Sequence, residues 1–443
     1  MLTAPTIPMQ SPSTYCARAA RGQRCSVVVL AWGLAVLSAG CADGAAFAVV
    51  EHERPSASVT DDSGEPTQAA EELSALTRFE LPPGFPPPRI PATNPLTDAK
   101  IELGRHLFYD TRLSGNGEQS CASCHEQAKA FADGQALPTG STGEVHHTNS
   151  LHLVNAVYQG TLTWANPLLT SLETQIFVPI FGEEPVELGA APFRIEIIDR
   201  LAADAYYQAA FPAAFPERET PLDWDAVAMA LASFVRSLIS GNSAFDRFVY
   251  QGEAQALSAS AKRGMDLFFS EEFECHHCHG GFNFTEASVH ANTPFEAMRF
   301  NNTGLYNIDG EGGYPLTARG LIEFTGAPSD MGRFRAPSLR NVAVTAPYMH
   351  DGSVETLGEV IDIYAAGGRV ITDGPHAGDG RLNPFKSGFV VGFALNERQR
   401  GDLLAFLESL TDEAFLSNPR FANPWSAGED GATAAETLTR APQ

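Results

Sequence analysis

Two five-residue stretches place two thiols and an imidazole at one spacing. Cys121-Ala122-Ser123-Cys124-His125 and Cys275-His276-His277-Cys278-His279 both read CxxCH. Two cysteines so spaced can add to the vinyl groups of one porphyrin. The adjacent histidine then comes under the ring to hold its iron, which is the attachment signature of a c-type haem. The competing chemistry is a pair of zinc knuckles or redox CxxC pairs. A zinc knuckle needs two more ligands at matched spacing, and neither stretch offers them. Cys121, Cys124 and His125 are expected to hold one haem, and Cys275, Cys278 and His279 a second.

The elements around the two motifs repeat. Ala99, Leu103 and Leu107 fall at helical spacing, and Gly104-x-x-Leu107-Phe108 leads into the first CxxCH. Ala261, Met265 and Phe268 do the same, and Gly264-x-x-Leu267-Phe268 leads into the second. An apolar helix entering CxxCH, used twice, indicates duplication. Between the motifs the sequence predicts a helix with Pro221 in its first turn. Its buried stripe is Val227, Leu231, Phe234, Val235 and Leu238, and Gly241 ends it. A last helix is expected from Asn396, with Gln399 placed for reciprocal capping and Leu403, Leu407 and Leu410 buried. Strand-like alternation is rare. The fold class is therefore mostly α, with two cytochrome c-like haem domains in tandem over 81–250 and 251–411. Leu81 to Pro88, LPPGFPPP, must be extended, and folded structure is expected to begin near Asn94. Residues 412–443 read as a partly ordered tail.

The remaining cysteines, Cys16, Cys25 and Cys41, lie near the N-terminus. Residues 1–40 read as an export signal. Arg18, Arg21 and Arg24 precede an apolar run from Ser26 to Ala39 that is too short for a stable membrane span. The run ends in Leu37-Ser38-Ala39-Gly40-Cys41, similar to a bacterial lipoprotein cleavage site, although Ser38 stands where a large aliphatic is usual. Cleavage there would leave Cys41 as a lipidated N-terminus and the chain's one link to a membrane. An ordinary signal cut nearby would release the protein. Either route leads to the periplasm. Residues 41–80 are poor in large apolar groups and are expected to form a disordered tether. The formal charge of −24, with nothing basic clustered, excludes nucleic acid as a partner. An acidic surface could steer a basic protein.

More of the chain is distinctive. Asn149, Asn155, Trp164, Gln175, Pro179, Glu187 and Gly189 follow the first motif, and FRAPSLRNVAVTAPYMHDGS runs from Phe334 to Ser353. At these residues the chain resembles the bacterial dihaem cytochrome c peroxidase and MauG superfamily, from about Leu81 to Leu410. LPPGFPPP, ELGRHLFYDTRLS (Glu102 to Ser114) and PIFGEEPVELG (Pro179 to Gly189) are most similar to its MbnH branch, the dihaem partners of MbnP copper-binding proteins. The resemblance implies that the first haem meets hydrogen peroxide, with Gln175, Pro179 and Glu187 on its distal side. Two more residues separate Pro179 from Glu187 than the family places there. A carboxylate over an open iron position can move the proton that O–O cleavage requires. Trp164 is implied to lie between the haems and relay oxidising equivalents. The side chain of Asn149 and the carbonyls of Thr345 and Pro347 are implied calcium ligands, a donor set that suits that ion.

Tyr364 follows His350 by 14 residues, where ordinary dihaem peroxidases place a Met as second ligand of the C-terminal haem. A Met ligand raises the reduction potential, whereas a Tyr oxygen favours oxidised iron. Tyr364 is thus the implied iron ligand, with Met349 as the alternative. His146 and His147 lie where ordinary peroxidases carry a distal histidine in a mobile loop. They could cap the first haem or lie outside its ligand sphere. His276 and His277 only fill the gap between two cysteines.

The implied function is a MauG/MbnH-like oxidoreductase. Hydrogen peroxide would form a high-valent haem pair that oxidises a residue, a tryptophan to kynurenine, on a partner such as an MbnP-like copper-binding protein. Two other readings fit two haems. One is a peroxidase that detoxifies hydrogen peroxide with electrons from a small cytochrome or cupredoxin. The other is a non-enzymatic electron-transfer protein. An open position on the first haem separates enzyme from carrier, and Tyr364 separates the two enzymes.

Overall fold

The structure is a computed structural model that describes residues 80–294 and 299–428. The export signal, the tether up to residue 79, Cys41 and the end of the tail lie outside the described residues. Helices α1 to α11 run over Asp98–Phe108, Leu172–Phe181, Arg194–Ala202, Ala205–Ala214, Trp224–Ser237, Ala244–Val249, Ala259–Phe268, Ile322–Thr325, Leu357–Ala366, Glu397–Glu408 and Glu413–Leu416. Sheet among the described residues is confined to β1, Val370–Ile371, paired antiparallel with β2, Gly378–Asp379. The mostly α class is observed.

The duplication read from the sequence has a structural counterpart. Thr97 caps α1 by accepting from the Lys100 amide, and Ser258 caps α7 by accepting from that of Ala261. Helix α1 crosses α5, and α7 crosses α10. Each crossing is centred on the repeated glycine. A Cβ on Gly104 would collide with the Ala230 carbonyl, and one on Gly264 with that of Asp402. Only glycine lets the backbones approach this closely. One apolar cluster runs from Leu103 to Leu238 and takes in Phe415 and Phe421. A second runs from Phe245 to Leu410.

Several boundaries differ from expectation. Helix α5 starts at Trp224, because the Asp223 side chain accepts from the Ala226 amide and caps it there. Pro221 lies outside the helix. The helix ends before Leu238, and Gly241 packs instead against Pro82 and Phe85. The reciprocal cap of Asn396 and Gln399 forms as expected. Packed structure begins before Asn94. Phe85 is fully buried, with its ring edge-on to Tyr158 and Phe282, and the Tyr158 hydroxyl donates to the Pro86 carbonyl at 2.7 Å. The segment is not extended throughout: the Phe85 amide donates to the Pro82 carbonyl at 3.1 Å across a left-handed Gly84 (φ 82°), and Phe85 to Pro88 are all buried, at little entropic cost for a proline-rich stretch. The tail packs as far as its described residues go. Asp412 Oδ2 accepts from the amides of Gly241 and Asn242, and Phe415 and Phe421 are buried. Beside Phe85, Arg340 and Asp246 form a fully buried pair with two 2.9 Å contacts.

Candidate functional site

Each CxxCH forms a tight turn, Cys121–Ser123 and Cys275–His277. None of the four cysteines forms a disulfide, and burial pushes their thiols up, Cys124 to about 11 and the others to about 12. Each histidine is fixed through Nδ1. In His125 it lies 2.7 Å from the Phe131 carbonyl. In His279 it lies 3.1 Å from the Pro337 carbonyl and 3.2 Å from that of Phe284. A carbonyl only accepts, so Nδ1 carries the proton and Nε2 keeps its lone pair for a metal. Burial lowers both imidazoles, His279 to about 4, which keeps them neutral. Phe131 and Phe284 both hold left-handed backbone, with φ of 62° and 51°. A bulky residue rarely adopts that conformation, yet here it supplies the histidine's acceptor in both repeats.

A cavity opens beside the second motif, lined by Cys275, Cys278, His279, Tyr364, Met349 and Trp164 among others. Its wall is largely apolar, with a few polar groups set into it. The Tyr364 side chain is half-buried, and desolvation shifts its phenol upward. His350, on the same wall, stacks on Phe334 at 3.7 Å, and its buried Nε2 has no hydrogen-bond partner. Arg335 is a buried guanidinium held by the Thr163 carbonyl at 3.0 Å and Gln159 Oε1 at 2.7 Å. Desolvation alone lowers it, to about 10. An apolar slot with a neutral histidine, a phenol and a buried cation suits a planar, anionic, iron-bearing macrocycle. Met349 also packs with the cluster of Tyr306, Tyr314 and Phe334.

Around the first motif, Gln175 and Pro179 lie one turn apart on α2. Gln175 Oε1 is buried without a partner. The Pro179 carbonyl accepts from the Leu188 amide at 2.9 Å, which draws the segment carrying Glu187 back to the helix. A third of the Glu187 side chain is exposed (33%), yet desolvation pushes its carboxyl up to about 7. Its charge in turn raises both Cys121 and Cys124, so it stands near both thiols. His146 Nε2 lies 3.6 Å from Glu187 Oε1, whereas His147 is exposed.

A chain of backbone contacts joins Trp164, Asn149 and His350. The Trp164 indole N–H donates to the Asn149 carbonyl at 2.8 Å, and the Asn149 amide donates to the His350 carbonyl at 2.8 Å. The Asn149 side-chain amide donates to the carbonyls of Gln135 and Ala136. Asn149 thus meets the segment that follows Thr345 and Pro347 at the His350 carbonyl.

The sequence reading named neither Arg335 nor His350 as a site residue, although both stand in the quoted FRAPSLRNVAVTAPYMHDGS stretch. It also missed His152. That half-buried imidazole has Nε2 2.9 Å from the Ser338 carbonyl, and desolvation, followed by the Arg335 charge, lowers it to about 4. No local pattern marks it.

Comparison with known proteins agrees with this arrangement. A family profile described as "Di-haem cytochrome c peroxidase" matches residues 98–255. The chain is 35% identical over 360 residues to cytochrome-c peroxidase IdrP1 of Denitromonas iodatirespirans, covering 77% of this chain and 89% of that one. It is 32% identical over 387 residues to the methylamine utilization protein MauG of Methylorubrum extorquens, covering 87% and 95%. A crystal structure of a MauG-like protein associated with microbial copper homeostasis superposes with a TM-score of 0.77 at 51% identity, covering 78% of this chain and 99% of that one.

Proposed function

The chain belongs to the di-haem cytochrome c peroxidase family, an oxidoreductase family that includes MauG, and on that premise we propose that it oxidises a residue of a partner protein at the expense of hydrogen peroxide. The partner is a small MbnP-like copper-binding protein and the residue a tryptophan converted to kynurenine. The two c-type haems, one in each of two tandem cytochrome c-like domains over 81–250 and 251–411, supply the redox chemistry. Cys121, Cys124 and His125 hold one, and Cys275, Cys278, His279 and Tyr364 the other.

The observation that carries the reading is Tyr364, a half-buried phenol on the wall of the cavity of the second motif and close to both of its thiols. A phenolate oxygen favours the oxidised states of iron, which suits an enzyme that stores oxidising equivalents instead of collecting electrons. The likeness to a MauG-like protein tied to copper homeostasis supports the copper-protein partner. Met349 on the same wall favours the second reading, a peroxidase that detoxifies hydrogen peroxide with electrons from a small cytochrome or cupredoxin.

At the first motif, Glu187 acts on protons. A carboxyl pushed up to about 7 exists in both forms at neutral pH, so it can take a proton from bound peroxide and return it. The unpaired Gln175 Oε1 accepts a hydrogen bond from the same molecule, and Pro179 shapes that turn of α2. Trp164 carries electrons, its ring on the wall of the second cavity and its N–H tied to Asn149. Calcium bound by Asn149, Thr345 and Pro347 holds that junction rigid. The protein works in the periplasm, tethered through Cys41 or released, and the mass of the mature N-terminus distinguishes the two.

Electron paramagnetic resonance of the ferric protein tests the assignment of Tyr364. One high-spin and one low-spin signal are expected, with Tyr364→Phe changing the low-spin signal alone and abolishing partner modification. A low-spin signal indifferent to Tyr364→Phe but lost in Met349→Leu establishes the second reading.

A further inference from the structure

His276 and His277 fill the gap of the second CxxCH, and nothing above uses them. Their side chains converge on two carboxylates. His276 Nε2 lies 3.6 Å from Glu271 Oε1, and His277 Nε2 lies 3.5 Å from Glu271 Oε2 and 2.7 Å from Glu274 Oε2. The donor atoms of Glu271, His276 and His277 all fall within 4.8 Å of one another, the one such cluster among the described residues. We propose that Glu271, Glu274, His276 and His277 form a binding site for a divalent late first-row transition ion, copper(II) ahead of zinc.

Three observations carry this. The first is spacing. At metal–ligand distances of about 2.0–2.1 Å, adjacent donors lie about 2.8 Å apart in a tetragonal copper(II) site and about 3.3 Å apart in a tetrahedral zinc site, and the observed separations span both values. The second is an orphaned oxygen. Glu274 Oε2 is buried and makes no hydrogen bond. The 2.7 Å approach of Glu274 Oε2 to His277 therefore lacks hydrogen-bond geometry, as expected for two lone pairs aimed at a common centre. The third is preorganisation. The two imidazoles lie ring to ring at 4.2 Å, and His277 stacks on Phe389 at 4.3 Å with 15° between planes. Neither side chain is more than a third exposed (23% and 30%). Glu271 is exposed and closes the site from solvent. Two imidazoles and carboxylates suit copper(II) and zinc, with copper(II) favoured by the general affinity order. Glu272 adds a third acid to the segment and concentrates cations there. Glu274 also lines the second cavity, so the ion and that cavity share a wall.

The test uses the mature protein carrying both haems, dialysed against glycine-buffered copper(II), with bound metal counted by atomic emission. One copper per chain is expected, with nitrogen hyperfine structure from two imidazoles in its paramagnetic resonance spectrum, and zinc should compete for it. His276→Gln combined with His277→Gln should weaken binding by about 100-fold or more while two haems per chain remain. If that variant loses a haem, Glu271→Gln lies outside the attachment motif and should weaken binding by about tenfold. Copper binding unchanged in Glu271→Gln, or a copper spectrum without nitrogen coupling, overturns the site. The readout is independent of peroxide chemistry, so its failure leaves the proposed function standing.

Discussion

Glu187→Gln should separate activity from stability in opposite directions. Desolvation raises the Glu187 carboxyl from 4.5 to about 7. A raised acid favours the folded state fully below the unfolded pKa, and that contribution is lost as pH rises through the folded value. A shift of two to three units corresponds to about 3 kcal/mol, and with a third of the side chain exposed roughly 2 kcal/mol is realistic. Glutamine keeps the shape and cannot ionise. The variant should thus match the wild type near pH 4 and gain stability progressively between about pH 5 and 7. Above pH 7 it should be more stable by roughly 2 kcal/mol, read as a higher denaturant midpoint. Peroxide consumption should move the other way. The carboxylate form is the base, so the wild-type rate should climb with pH and level off above about 7. The variant should be slower by about 10²–10⁴ with no inflection. Stopped-flow peroxide consumption across pH 5 to 9, alongside urea unfolding, measures both. A variant that keeps the wild-type inflection, or loses stability at pH 8, refutes the placement of this carboxyl over the first haem.

Trp164→Phe should slow partner modification far more than peroxide consumption, because the indole acts after peroxide has reacted; equal slowing of both would show that it only supports the fold. Asp246→Asn leaves the fully buried Arg340 guanidinium without its counter-charge and should cost about 3–5 kcal/mol, read from the urea midpoint; a loss under 1 kcal/mol would mean that the Phe282 carbonyl and the Phe85 ring suffice for it. Chelation of calcium should suppress partner modification and leave both haems attached, with recovery on adding calcium back; Asn149→Ala should need more calcium for the same recovery, and indifference to the chelator would remove calcium from the account.

What the sequence made legible was local. CxxCH is chemistry at fixed spacing, the Asn396–Gln399 cap is a four-residue pattern, and the glycines ahead of each motif repeat in register. The proline-rich segment was read as extended throughout and left outside the packed structure, whereas Pro82 to Phe85 closes a turn and Phe85 is buried, because composition says nothing of the Tyr158 and Phe282 rings waiting for Phe85. The left-handed backbone of Phe131 and Phe284 was hidden, since a phenylalanine does not advertise a positive φ. The Glu187–His146 pair, the buried Arg335 and the orphaned His350 Nε2 depend on contacts between distant segments. Tyr364 stood out only through the resemblance, and its cavity came from the fold.

The most direct measurement offers the purified protein a small copper-binding partner from the same compartment and follows both by mass spectrometry. The account predicts that one partner tryptophan gains oxygen-bearing mass only when hydrogen peroxide and this protein are present together, and that Tyr364→Phe abolishes the gain. Rapid turnover of a reduced small cytochrome, with no candidate partner modified, would contradict it and establish a detoxifying peroxidase.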